Sequence, residues 1–410
     1  DTQEFSKLRK MLFPIHQSEL RKFIPLTSIF LLVAFNYSTL RSLKDMFLMQ
    51  HTAPAVIYYL KLIAVTPSIV VMTILYSKVS KSTDRDGRFN AVIAYFLIFF
   101  AVSYFLLVPN LEALKLDSLA QSLTESMPMF KLLWEAIRVW PLSLIYIHAE
   151  GWGTMALGVA FWTFVNEITS VEQSKRFYSL LSLGSAAGGI LAGIVIKYFQ
   201  GNFSITLSFS LVAMVGILVI YNIFAQDIKK HPALYQVERK PKKKKEKLSF
   251  MDSVKFLMRS DYLAQIATLV MVYGSAVALF ESVWKAKIKE LSTASVDSGA
   301  ILAETYGNQA INGGILSIIL ILFLAAPIMR KGWRFAASFT PVVALIATLL
   351  FFSFLYFQEA LSGITAPLGM SPLEMAVAFG GLNVVFIKST KYILFDPTKE
   401  HAYIPLDEES

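Results

Sequence analysis

Ten stretches of this chain are apolar for long enough to cross the roughly 30 Å of hydrocarbon in a bilayer, which takes about 20 helical residues. They fall at 24–43, 54–77, 89–108, 139–166, 177–198, 204–225, 262–284, 308–329, 335–357 and 373–395. Runs of this length predict an all-α polytopic membrane protein. The ionisable residues inside them follow a pattern: Arg41 and Lys44 end the first, Arg138, His148 and Glu150 belong to the fourth, Glu281 and Lys285 end the seventh, and Lys388 and Lys391 end the tenth. A charge at the centre of a spanning helix costs roughly 2.5–3.5 kcal/mol on insertion scales, so it is tolerated where it faces a polar cavity. Every third span is therefore expected to line a pathway.

Composition agrees. Of 410 residues 55% are hydrophobic and 16% charged, against about 45–50% and 25% in a soluble domain. The net charge of +9 does not predict nucleic-acid binding, because most basic residues sit in short loops between apolar runs, where they set orientation. With no cysteine, disulfides, thiolate metal sites and a cysteine nucleophile are excluded, and no metal or cofactor is expected. The Gly184–Gly189 run, with Gly193, lacks the Lys and the preceding strand of a phosphate loop and is read as a helix-packing patch. No nucleophile elbow is present, so a carrier is expected and not an enzyme. Residues Asp1–Lys22 are polar and basic, without the apolar core and cleavage site of a secretory signal, and the first span is expected to act as its own insertion signal.

Residues 1–225 are expected to form an N-terminal six-helix bundle with a basic tail, 226–253 a basic cytoplasmic linker, and 254–410 a C-terminal bundle. Two packed bundles place a substrate site between them near the bilayer midplane. The loop after the second span, Asp84-Arg85-Asp86-Gly87-Arg88, resembles the D-R-x-G-R core of the loop that marks major facilitator transporters at this position. In that fold spans one, four, seven and ten line the central cavity.

Each candidate residue has a plain reading beside the functional one. Tyr37, Arg41 and Lys44 share a helix face, and the two cations either line the pathway or snorkel to the interface. Glu150 either pairs with Arg41 or Lys44 or holds a proton. His148 is an ordinary buried polar residue or titrates beside it. Glu281 and Lys285 stand one turn apart, a pair worth only about 0.3–0.5 kcal/mol if exposed. Trp284 and Tyr37 stack on a planar ring or anchor at the interface. Asn308, Asn312 and Asn383 meet a base or ribose, or hydrogen-bond helix to helix. Lys61 lies outside the pattern and is read as snorkelling.

Several segments, Phe35–Asp45, Ala149–Thr169, Ser174–Tyr178, Glu281–Lys287 and Lys388–Asp407, resemble the ATP/ADP translocase family of plastids and obligate intracellular bacteria, which has a major-facilitator-like fold. The resemblance implies a nucleotide transporter of the bacterial inner membrane working by alternating access. Lys44, Glu150 and Glu281 match the family's transport residues. Phosphates are then expected at Arg41, Lys44, Lys388 and Lys391, and coupling or charge balance at Glu150, Glu281 and His148. The family has twelve spans, so a chain ending at Ser410 is expected to be two short. Ser338 stands where exchanging members are expected to carry Lys, which argues for proton-coupled net import. The alternatives are obligate ATP/ADP counter-exchange and, from another class, a non-transporting nucleotide receptor or scaffold.

Overall fold

In hydrocarbon no water is available to backbone N–H and C=O groups, so a crossing segment must satisfy them within itself as a helix. The structure, a computed structural model, describes residues 15–232, 235 and 261–395, and every regular element among them is helical. In chain order the long helices are α1 (Leu20–His51), α2 (Val56–Ser82) and α3 (Arg85–Leu107), then α4, which begins as Trp140–Trp152 and passes through a π segment, Gly153–Phe161, into Trp162–Ile168. They continue as α5 (Val171–Tyr198), α6 (Phe203–Lys230), α7 (Asp261–Thr293), α8 (Ser298–Ile319), α9 (Trp333–Tyr356) and α10 (Pro372–Thr390). Among the described residues eight helices are long and apolar enough to cross a membrane, those of α1, α2, α3, α5, α6, α8, α9 and α10. The chain is thus an all-α polytopic membrane protein. The N-terminal tail to residue 14 and most of the expected linker lie outside the described residues, although α6 runs on past 225 to Lys230.

Polar side chains at the helix starts explain several boundaries. Asp84 accepts from Gly87 N at 2.9 Å and opens α3, Ser170 forms a capping box with Gln173 at α5, and Ser371 forms one with Glu374 at α10. Such caps satisfy N–H groups that have no intrahelical partner. The motif loop does more than cap. Asp86 meets Lys229 of α6 at 2.8 Å and accepts from Tyr221 at 3.0 Å, while Arg88 pairs with Glu167 of α4 at 2.9 Å. We expect Asp84→Ala to destabilise by about 0.5–2 kcal/mol, the usual loss of an N-cap, read as a lower melting temperature in detergent; an unchanged melt would show the cap to be idle.

Contacts group the chain into two compact units, Asp1–Val237 with Ile288–Ile318, and Glu238–Lys287 with Ile319–Ser410. In the first, α1 is the central helix, burying Leu26, Ile29, Val33, Leu40 and Met49. Phe30 stacks on Phe161 at 4.3 Å, and Trp152 Nε1 donates to Val33 O at 3.1 Å. The glycine patch sets the close approach: a Cβ on Gly188 would lie 2.3 Å from Leu31 O of α1, and one on Gly193 would lie 2.5 Å from Gly307 O of α8. In the second unit α10 packs on α9. Trp284 is sunk against Gly380, where a Cβ would come within 2.2 Å of its ring, and its Nε1 donates to Val377 O at 2.9 Å.

Five π segments occur among the described residues, Leu60–Val65, Ser103–Leu107, Gly153–Phe161, Leu320–Leu324 and Lys391–Phe395. Such segments are rare in proteins and concentrate at functional sites. Here two of them contain charged residues of the apolar stretches, Lys61 and Lys391, and a third opens three residues after Glu150.

Candidate functional site

Each unit holds a cluster of opposed charges that includes a sequence-predicted glutamate, Glu150 in the first and Glu281 in the second. In the first, the α1 periodicity puts Tyr37, Arg41 and Lys44 on one face, and Arg41 Nη1 donates to Tyr37 Oη at 2.9 Å. Lys44 Nζ lies 2.8 Å from Asp45 Oδ1 and 2.9 Å from Glu150 Oε1 of α4, and sits 4.0 Å above the Tyr146 ring. Its side chain is only 2% exposed. Tyr146 stands one turn before Glu150 and donates its hydroxyl to Oε1 at 3.3 Å. Lys61, in the π segment of α2, brings Nζ to 3.9 Å from the same carboxylate oxygen with its side chain 40% exposed. Two lysines from different helices thus converge on one carboxylate.

The second cluster repeats the chemistry with Glu281 of α7. Lys388 of α10 approaches Oε1 at 3.1 Å, and Lys285, one turn along α7, approaches Oε2 at 3.9 Å. The Glu281 and Lys285 side chains are 9% and 5% exposed, so this is the buried form of the pair and not the weak surface one. Lys391 is half-buried and opens the π segment that follows α10.

Other expected residues go elsewhere. His148 lies on the far side of α4 from Glu150: its ring stacks on Phe99 of α3 at 3.4 Å, and Nε2 meets Tyr95 Oη at 2.8 Å. Nδ1 faces Leu144 O at 2.8 Å; since a carbonyl only accepts, Nδ1 carries the proton and a neutral ring takes the Tyr95 hydroxyl at Nε2. Trp284 and Asn383 are core residues of the second unit, Asn383 Nδ2 donating to Thr348 Oγ1 at 2.8 Å. Asn308 of α8 accepts from Lys197 of α5 at 2.7 Å, and Asn312 is exposed on α8. Arg138 serves the loop before α4, donating to His51 O at 2.6 Å, one of the carbonyls that the C-terminal end of α1 leaves unpaired. Sequence reasoning read Lys61 as snorkelling and not as a neighbour of Glu150, and it did not single out Tyr146. The signals were available: Lys61 is the one charge between Val56 and Tyr76, and Tyr146 is spaced i,i+4 from Glu150.

Sequence comparison bears on what such clusters serve. The whole chain, residues 1–410, matches the family described as TLC ATP/ADP transporter. It is 33% identical over 426 residues to ADP,ATP carrier protein 1 of Chlamydia trachomatis, covering 99% of this chain and 80% of that protein. Against ADP,ATP carrier protein 1 of Rickettsia prowazekii the identity is 35% over 418 residues, covering 98% and 83%. Against the chloroplastic ADP,ATP carrier protein 1 of Arabidopsis thaliana it is 32% over 412 residues, covering 97% and 65%. With helices built to cross a bilayer and a match along its full length, this chain belongs to the TLC family of ATP/ADP transporters, carriers and not enzymes.

Proposed function

We propose that the chain exchanges ATP and ADP across a bacterial inner membrane by alternating access, with its spans, ten in this chain, arranged as two bundles in the major-facilitator manner. The relatives' names, each pairing ADP with ATP, favour counter-exchange over the proton-coupled import expected from Ser338. The observation that carries the reading is the Lys44–Glu150 pair at 2.9 Å, its lysine only 2% exposed on the span-length helix α1. A buried ion pair is weak evidence for stability alone, because its desolvation offsets most of its attraction. Buried charge within spanning segments instead marks a substrate or ion pathway.

In this reading Arg41, Lys44, Lys388 and Lys391 meet phosphate oxygens, Arg41 being suited to bidentate contact. Glu150 and Glu281 balance those cations when no nucleotide is bound, so the empty carrier does not hold several unpaired positive charges in a low-dielectric site. Tyr37 is the best placed of the expected base contacts, half-buried one turn from Arg41; Asn308 and Asn312 on α8 are the polar alternatives. The basic linker and N-terminus face the cytoplasm under the positive-inside rule.

Purified protein in liposomes tests this. Labelled ATP is expected to enter vesicles loaded with ADP and to stay out of empty ones, with no uptake driven by an imposed proton gradient alone. Gradient-driven uptake into empty vesicles would establish net import instead, and nucleotide binding with no flux would establish a receptor or scaffold.

A further inference from the structure

A hydroxyl inside a spanning helix has one acceptor always within reach, the carbonyl one turn back along its own helix. Thr27, Ser103 and Thr390 use it, donating to Phe23 O at 2.9 Å, Phe99 O at 2.9 Å and Phe386 O at 2.6 Å. Thr39 of α1 and Thr206 and Ser210 of α6 do not, and their hydroxyls find no partner among the described residues. All three residues are 0% exposed, and so is Asn36 of α1. Its Nδ2 donates to Leu32 O at 3.1 Å, while its Oδ1 is likewise without a partner among the described residues.

The packing of α1 on α6, both within the first unit, brings these four residues to one seam. The two helices run antiparallel: Arg21 Nε donates to Asp227 Oδ2 at 2.9 Å, a Cβ on Gly216 would lie 3.1 Å from Leu32 Cδ1, and the Phe47 and Phe203 rings stack with centroids 4.2 Å apart. Between these ties Thr39 lies level with Ser210, Asn36 with Ala213, and Leu43 with Thr206. Leu32, Asn36, Thr39 and Leu43 recur at helical spacing along α1, so both polar residues stand on the side that meets α6. Thr206 and Ser210 share the buried face of α6 with Phe203, Ala213 and Ile217.

A buried polar atom without a partner is costly, and hydrocarbon offers none. Four such oxygens in one seam call for a shared ligand. A bare cation does not suit them, because all four are neutral and the carbonyls beside them belong to the unbroken helices Leu20–His51 and Phe203–Lys230. Water suits them, since it donates to an amide oxygen and accepts from a hydroxyl, and a buried water takes about three polar partners.

We propose that ordered water occupies the α1–α6 seam, held by Asn36 Oδ1, Thr39 Oγ1, Thr206 Oγ1 and Ser210 Oγ, and joins the two helices there. The site is distinct from the charged cluster: Lys44 stands about 140° round α1 from Thr39. The central helix is thus held on one side by an ion pair to α4 and on another by water to α6.

Thermal unfolding of the full-length chain in detergent tests this as a double-mutant cycle. Thr39→Val and Ser210→Ala each take a partner from the water with little change of shape, and each should lower the melting temperature by a few degrees. The double variant should lose clearly less than the two losses combined, because both act on one ligand. Thr27→Val, whose hydroxyl is satisfied within α1, should show no such coupling to Ser210→Ala. A density map that resolves ordered solvent should show a peak within hydrogen-bonding distance of at least two of the four oxygens, and the double variant should lack it. A melting temperature that rises in either single variant marks the hydroxyls as orphans and overturns the site, and additive losses do the same. A direct Thr39–Ser210 hydrogen bond with no solvent peak also overturns it. So does a parent protein that sodium ions stabilise and a double variant that they do not, the mark of a cation in place of water.

Discussion

Glu281→Gln should abolish measurable nucleotide uptake and lower the melting temperature of the purified carrier. The glutamine keeps the shape of the side chain and removes the charge that two lysines share, Lys388 at 3.1 Å and Lys285 at 3.9 Å. Lys285 is 5% exposed, so its ammonium would be left in a nearly dry site without that carboxylate. Breaking a buried pair from one side costs about 3–5 kcal/mol, which is a factor of more than about a hundred in any equilibrium it enters. The matching change in the first unit should be milder. In Glu150→Gln, Lys44 still has Asp45 at 2.8 Å, so stability falls less although Lys61 loses its neighbour. Thermal unfolding in detergent ranks the two, and Glu281→Asp, which restores charge at shorter reach, should recover part of the loss. A Glu281→Gln protein that melts and transports like the parent would remove Glu281 from both roles.

The contrast shows what the sequence could and could not reveal. Apolar runs were legible because length alone sets a span; the caps at Asp84, Ser170 and Ser371, which each offer an acceptor to the next helix, act as locally but were not singled out. Lys44–Glu150 was legible as a possibility because two opposite charges in lipid have few alternatives to meeting. The His148 placement was within reach of periodicity as well, since two residues at 100° each put His148 and Glu150 about 200° apart around α4, on opposite sides. Asn383 was read as a base contact or a helix-to-helix hydrogen bond, and it donates to Thr348 of the neighbouring helix at 2.8 Å; Trp284 was not legible. Its type suits a ligand site and a helix interface equally, and only the close approach of Gly380 sinks the tryptophan into the core. The π segments carry no periodic signature in apolar sequence, so the turn that aims Lys61 at Glu150 had to be seen. The loop between α3 and α4 also hid its three short helices, Leu111–Leu114, Asp117–Ser126 and Lys131–Arg138, each too short for hydropathy to register.

Oxidising a cysteine pair placed at Ile190 and Gly314 should stop exchange, and reduction should restore it. These positions lie on α5 and α8, both within the first unit, along a seam where the helix backbones come close. A Cβ on Gly314 would lie 2.5 Å from Ile190 Cγ1 and 2.6 Å from Ala186 O. Allowing one further carbon–carbon bond of about 1.5 Å, the two Cβ atoms stand no more than about 4 Å apart, inside the range a disulfide spans. The substitution Ile190→Cys also removes the Cγ1 atom that the new side chain at 314 would strike. One to two turns back along α8 from 314 the seam closes again, with Gly193 against Ile311 and Gly307, and Lys197 donates to Asn308 at 2.7 Å. Surfaces this tightly meshed do not slide past one another; they part or they stay together. A carrier that exposes its site alternately to two sides must open some packed seam during each cycle, and α5 against α8, where glycines bring the backbones together, is the seam this cross-link tests. Uptake in ADP-loaded liposomes should fall to background on oxidation and return with dithiothreitol, the reduced double variant being the reference for the oxidised one. Full exchange by a carrier whose cross-link is confirmed by mass would show that α5 and α8 travel as one body and that the opening lies elsewhere.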